Sequence, residues 1–143
     1  MKLIKHNLLQ FILVIATIST LGSLYFSEIV KFPPCSLCWY QRLFMYPIMI
    51  IPIIGFWKKD KNIPYYILPF TIIGLIISIY HNLLYYGFIS ESLQPCTVGV
   101  SCTEKQLDLF GFLSIPLMSL FAFALITFLT LIHLKLKSLN NKN

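Results

Sequence analysis

The sequence predicts an all-α membrane protein: a four-transmembrane-helix bundle with both termini cytoplasmic. Three observations lead there. Of 143 residues, 57% are hydrophobic and only 11% charged, whereas a soluble domain of this size keeps roughly a quarter of its residues charged. The apolar residues are blocked rather than periodic, with Asp, Glu, Lys and Arg absent from 8–26, 43–57, 63–90 and 109–134. A helix crosses ~30 Å of hydrocarbon with about 20 residues, so each block is a span, the second once its uncharged approach from Phe32 and the lone Arg42 are included. Finally, eight of the eleven cations (Lys2, Lys5, Lys58, Lys59, Lys61, Lys135, Lys137 and Lys142) fall on one side of the resulting ladder. The positive-inside rule puts that side in the cytoplasm. The net charge of +6 therefore reports topology in a cell membrane, and no nucleic-acid partner is expected.

The elements follow in order, as one integral membrane domain over 1–143. Span one, about 8–26, is longer than a signal-peptide core of ~7–15 residues and lacks a small-x-small cleavage site, so it is read as retained. Ser19, Gly22 and Ser23 give it a small-residue face suited to close helix contact. The first outer loop, 27–38, ends in Pro33-Pro34, and proline is at home in the first turn of a helix. Span two, 39–57, contains Pro47 and Pro52, which are expected to kink it. A basic cytoplasmic turn with Trp57 as interfacial anchor leads to span three, 64–86. That span ends among Tyr80, Tyr85 and Tyr86, an aromatic belt, with Gly74, Ser78, His81 and Tyr85 on one face. The second outer loop, 87–109, has turn signals at Pro95 and Gly99. Span four, 110–134, carries Pro116 in its outer half.

All four cysteines lie in the two outer loops: Cys35 and Cys38 in the first, Cys96 and Cys102 in the second. That is the side where disulfides form and persist. A Cys-x-x-Cys pair alone serves zinc and redox sites alike. Here it opens a helix, whose N-terminus stabilises a thiolate. Arg42, four residues past Cys38 and seven past Cys35, is expected on the same face. A fixed cation there favours the thiolate and can hold a quinone carbonyl; the plainer reading is a snorkelling border residue, although outward borders are poor in Arg.

The second pair, Cys96-x5-Cys102, encloses a short ring with a central glycine and reads either as a staple or as a shuttle disulfide. About seven residues tether Cys102 to span four, and at ~3.3 Å per extended residue that arm reaches over ~20 Å, enough to exchange with the first pair. Zinc across both pairs fits poorly because x5 is not a zinc-knuckle spacing, so no metal is expected. Haem attachment is excluded by Trp39 following Cys38. His81 lies near the outer end of span three at the depth of Cys38 and Arg42, and ionisable groups in spans are functional candidates. It is expected in the quinone site. His6 and His133 are expected as solvated borders. The rival function is a non-catalytic metal carrier or scaffold, for which the spans offer few ligands.

At these residues the chain resembles the DsbB family of disulfide-forming membrane oxidases, and within it the short Gram-positive-type members called BdbC. The carriers are Pro34-Cys35-Ser36-Leu37-Cys38-Trp39-Tyr40-Gln41-Arg42 and Cys102-Thr103-Glu104-Lys105-Gln106-Leu107-Asp108-Leu109-Phe110-Gly111, with Pro116 beyond. Vitamin K epoxide reductase homologues place their Cys-x-x-Cys after the loop cysteines, which the early pair here does not match. The resemblance implies a relay. Cys96 takes electrons from a DsbA-like thioredoxin-fold thiol oxidase and Cys102 passes them to Cys35. Cys38 then faces a membrane quinone, menaquinone or ubiquinone, beside Arg42. One departure is the x5 second pair, which is widely separated by a helical insertion in the best-known members.

Overall fold

In hydrocarbon a backbone has no water to bond, so an apolar run of this length satisfies its N–H and C=O groups as a helix. The structure, a computed structural model, describes residues 2–31, 35–60, 62–88, 108–109 and 113–140. Its helices are α1 Lys2–Glu28, α2 Ser36–Lys58, α3 Ile63–Tyr85 and α4 Ile115–Asn140. All four are long and apolar enough to cross a membrane. Pro47 and Pro52 sit within α2, and Pro69 within α3, without interrupting either helix.

The main contacts run around a ring, α1 to α2, α2 to α3, α3 to α4 and α4 back to α1. Leu9, Ile12, Ala16, Met45, Ile48, Ile63, Ile67, Phe123 and Ile126 form the core inside it. On α3 the inward face runs Ile67, Thr71, Gly74, Ser78 and His81, all buried, the spacing of one helical stripe. Gly74 is required there: a Cβ would collide with the Phe123 ring of α4. Large apolar side chains such as Phe11, Ile18, Ile54, Ile76, Phe121 and Phe128 point outward, as a lipid-facing surface demands. α3 is the most enclosed span, with 39% of it buried against 22% for α1, so α1 is the helix least held by its neighbours.

Buried threonine hydroxyls of the spans are satisfied locally. Thr20, Thr127 and Thr130 each donate to the carbonyl four residues back, at 2.7 Å, so they cost the membrane interior no open polar group.

Three expectations change. The fourth helix starts at Ile115 rather than near 110, after a short antiparallel pairing of β1, Asp108–Leu109, with β2, Leu113–Ser114. Pro116 therefore falls in the first turn, where its missing N–H costs nothing, instead of interrupting a helix. The Asn82 amide ties this start to α3, donating to Pro116 O and Ser78 O at 2.8 Å each. Secondly, Gly22 is not a close helix contact, since nothing would lie within 4 Å of a Cβ there. Thirdly, His133 is not a solvated border: it is 6% exposed, because α4 continues to Asn140 beyond it.

Candidate active site

Cys35 holds the extended conformation of a helix N-cap, φ −66° and ψ 162°. Its sulfur accepts the backbone N–H of Cys38 at 3.4 Å, the reach from N-cap to third helical residue that capping side chains use. The two-residue spacer therefore does two things at once. It starts α2, and it folds the second sulfur back over the first. The two are free thiols with sulfurs 2.8 Å apart, a short rotation from the ~2.05 Å of a disulfide.

The pair has two unlike sides. Cys35 is 7% exposed and clusters with Leu37 and Leu84, against Ile77 and Tyr80. His81 of α3 closes this side, its Nε2 3.7 Å from Cys35 Sγ and its Nδ1 3.2 Å from Gln41 Nε2. The hydrogen bond from the Cys38 thiol, then that from His81, hold the Cys35 thiol below its ordinary range against the opposing effect of burial. A negative sulfur gains from each donor that reaches it.

Cys38 borders the other side, a cavity of about 300 Å³ among α1, α2 and α4. Ser19, Gly22 and Ser23, the small-residue face of α1, form one wall, Cys38 and Arg42 a second, and Met118 of α4 part of a third. The small residues therefore make room instead of closing a contact. Arg42 is one helical turn beyond Cys38 and turns toward α1. Its Nε donates to Ser23 Oγ at 3.1 Å, Nη1 to Ser27 Oγ at 3.2 Å and Nη2 to Ser23 O at 3.1 Å. Three donors fixed in this fork hold the guanidinium still at the cavity wall.

Cys38 and Arg42 are brought together as the helix phase requires, but Cys35 looks the other way, toward α3. His81 does not line the cavity; it is committed to Cys35 and Gln41. Cys96 and Cys102 lie outside the described residues. Sequence reasoning missed Gln41, which is 6% exposed and belongs to both sides, as well as Ser23 and Ser27 as partners of Arg42. The signal for Gln41 was available: an amide inside an apolar span is costly unless it is used.

Comparison with known proteins points to one family. The family model for disulfide bond formation protein DsbB matches residues 5–133. A probable disulfide formation protein C 2 of Bacillus anthracis is 46% identical over 99% of this chain and 100% of its own length. Disulfide bond formation protein C of Bacillus subtilis is 49% identical, covering 79% of this chain and 82% of its own. The chain belongs to the DsbB family. No solved structure matches it.

As a DsbB-family member it is a multi-pass membrane protein and a thiol–disulfide oxidoreductase. Among the described residues of this DsbB-family chain, one cluster has the donors to hold a metal ion: Cys35, Cys38 and His81, their ligand atoms within 4.8 Å of one another. Gln41 Nε2 can only donate, so His81 Nδ1 accepts and the ring hydrogen sits on Nε2, facing the sulfur.

Proposed function

We propose that this chain sits in the cell membrane with its cysteine loops on the extracytoplasmic side. In this reading it reoxidises a DsbA-like thioredoxin-fold thiol oxidase there and passes the electrons to a membrane quinone, menaquinone or ubiquinone. Disulfide formation in exported proteins is the outcome. The observation that carries the reading is the cavity on the Cys38 side. It is mostly apolar, of about 300 Å³, and carries a redox sulfur and a fixed guanidinium on one wall. A flat, uncharged ring with carbonyl oxygens fits such a site: apolar walls take the ring, and Arg42 meets an oxygen that becomes negative on reduction. The one-sided distribution of lysines supports the orientation.

When bound, the quinone supplies an acceptor for two electrons and two protons. The protein's own residues do the remaining work. In the oxidised state Cys35 and Cys38 share a disulfide. Electrons arrive as a thiolate, proposed to be that of Cys102 after Cys96 has exchanged with the partner. It attacks Cys35 Sγ; the Cys102–Cys35 bond forms, the Cys35–Cys38 bond breaks, and Cys38 leaves with the electron pair. Cys38 is then a thiolate at the cavity wall, one turn from Arg42. Cys96, freed when the partner closes its own disulfide, attacks Cys102 Sγ; the Cys96–Cys102 bond forms and Cys35 leaves with its electron pair. Closing the Cys35–Cys38 disulfide then gives up two electrons, which the bound quinone would accept, and restores the starting state. Arg42 stabilises the charge that develops there, and the apolar walls keep water from competing.

The test mixes purified protein with a reduced thioredoxin-fold thiol oxidase and quinone, and follows quinone absorbance. Wild type is expected to turn over repeatedly, and Cys96→Ser to lose exchange with the partner. A wild-type protein that leaves the quinone oxidised while its own thiols stay inert sinks the relay.

A further inference from the structure

The relay needs a thiolate twice at Cys35, once as a leaving group and once as a nucleophile, yet the cation in the site belongs to the other sulfur. Arg42 turns away to Ser23 and Ser27. The titratable groups that bear on Cys35 are Cys38 of its own helix and His81 of α3, and the first two turns of α4 carry none.

His81 is 1% exposed, and Leu84 beside Cys35 is fully buried, so on the α3 side the sulfur faces protein groups. A neutral imidazole has one N–H and one lone pair. The Gln41 amide nitrogen, 3.2 Å from Nδ1, takes the lone pair. The ring hydrogen is thereby assigned to Nε2, which faces Cys35 Sγ at 3.7 Å. The backbone N–H of Cys38 reaches the same sulfur at 3.4 Å. Two donors converge on one buried atom, an arrangement built for a negative sulfur.

We propose that His81 is a catalytic residue for Cys35 rather than part of the quinone cavity, and that Gln41 is the positioning residue that fixes its tautomer. This rests on the relay proposed above and adds a role to it. When the Cys96 thiolate attacks Cys102 Sγ, the Cys96–Cys102 bond forms, the Cys102–Cys35 bond breaks, and Cys35 leaves with the electron pair, its charge stabilised by the Nε2–H bond. When the Cys35–Cys38 disulfide closes, the two thiolates give up two electrons, which the quinone, when bound, would accept together with two protons. His81 gains and loses no proton in either step. Gln41 reaches both sides, since it also lines the cavity.

The experiment titrates Cys35 in full-length protein carrying Cys96→Ala and Cys102→Ala, reduced and purified in detergent. Alkylation of Cys35 by iodoacetamide is read peptide by peptide as a function of pH. His81→Phe is expected to slow Cys35 alkylation about tenfold or more at mildly acidic pH and to move its midpoint up, the scale of one lost hydrogen bond to a charge. His81→Gln, which keeps an N–H, should recover part of the loss, and Gln41→Leu should shift the midpoint in the same direction by less. KM for quinone is expected to hold in His81→Phe. An unchanged Cys35 profile in these variants overturns the proposal, and an unchanged profile with a raised quinone KM returns His81 to the cavity. If His81→Phe does not give a monodisperse helical protein, His81→Gln and Gln41→Leu decide by the same criterion. The titration uses neither quinone nor partner, so failure of the relay and failure of this proposal give different results.

Discussion

The two sulfurs of one Cys-x-x-Cys pair, 2.8 Å apart, occupy different environments. Cys35 is enclosed by Leu84, Tyr80 and His81, with hydrogen-bond donors aimed at it. Cys38 opens on a mostly apolar cavity with a guanidinium at its wall. The contrast arises because Cys35 precedes the first turn of α2 and Cys38 completes it, so a rotation of one turn hands one sulfur to α3 and the other to α1 and α4. In the proposed relay, a single motif thereby separates the sulfur that holds charge from the sulfur that delivers electrons.

The largest expected effect tests whether the open side is where electrons leave. Cys38→Ser should abolish quinone reduction, a loss of at least roughly a thousandfold for a covalent step that has no substitute, measured as quinone absorbance per enzyme. Cys35 should still form a mixed disulfide in that variant, so exchange without quinone reduction sharpens the division. Next comes Arg42→Leu. Losing a charged hydrogen-bond donor costs about 1.5–3 kcal/mol, so kcat/KM for quinone should fall by roughly ten- to a hundredfold, while Cys35 alkylation hardly changes. Comparable losses at both sulfurs would break the comparison.

A smaller effect belongs to the closed side. Because the folded protein lowers the Cys35 thiol, the reduced form gains stability that is fully present above the ordinary thiol range, near ~8.5, and fades as pH falls toward the lowered value. Thermal unfolding of reduced protein should show this rise with pH, and the oxidised protein, which has no thiol there, should lack it. The smallest effect is Ser27→Ala. It removes one of the three contacts that hold Arg42, and at about 0.5–1.5 kcal/mol for a neutral acceptor the quinone KM should rise only a few-fold.

The spans were legible because hydrocarbon imposes length and apolarity on each helix separately. The inward stripe of α3 was legible too, as Gly74, Ser78 and His81 recur at helical spacing. What was not legible depends on how one helix is rotated against another. His81 lies 46 residues from Cys35 in sequence, and nothing in the α3 periodicity says whether it meets the first sulfur or the second. Ser19, Gly22 and Ser23 had two possible meanings, close contact or open wall, and the partner helices decided for the wall. Arg42 shares the cavity wall with Cys38, as its i+4 spacing predicts, but Cys35, as a cap, has left the helical phase and does not follow the same rule. The start of α4 was misjudged because an apolar run does not record where its helix begins. Pro116 did record it, through its tolerance for the first turn.

One consequence follows from the cap itself. The first turn of α2 is closed by the sulfur of Cys35 accepting the Cys38 N–H, and a sulfur's strength as an acceptor depends on its charge. A thiolate caps well; the same atom in a disulfide caps weakly. The helix start therefore registers the electron count of the site. The Cys38 amide should exchange its hydrogen more slowly when the pair is reduced and faster when it is oxidised, which makes one backbone N–H a built-in gauge of redox state.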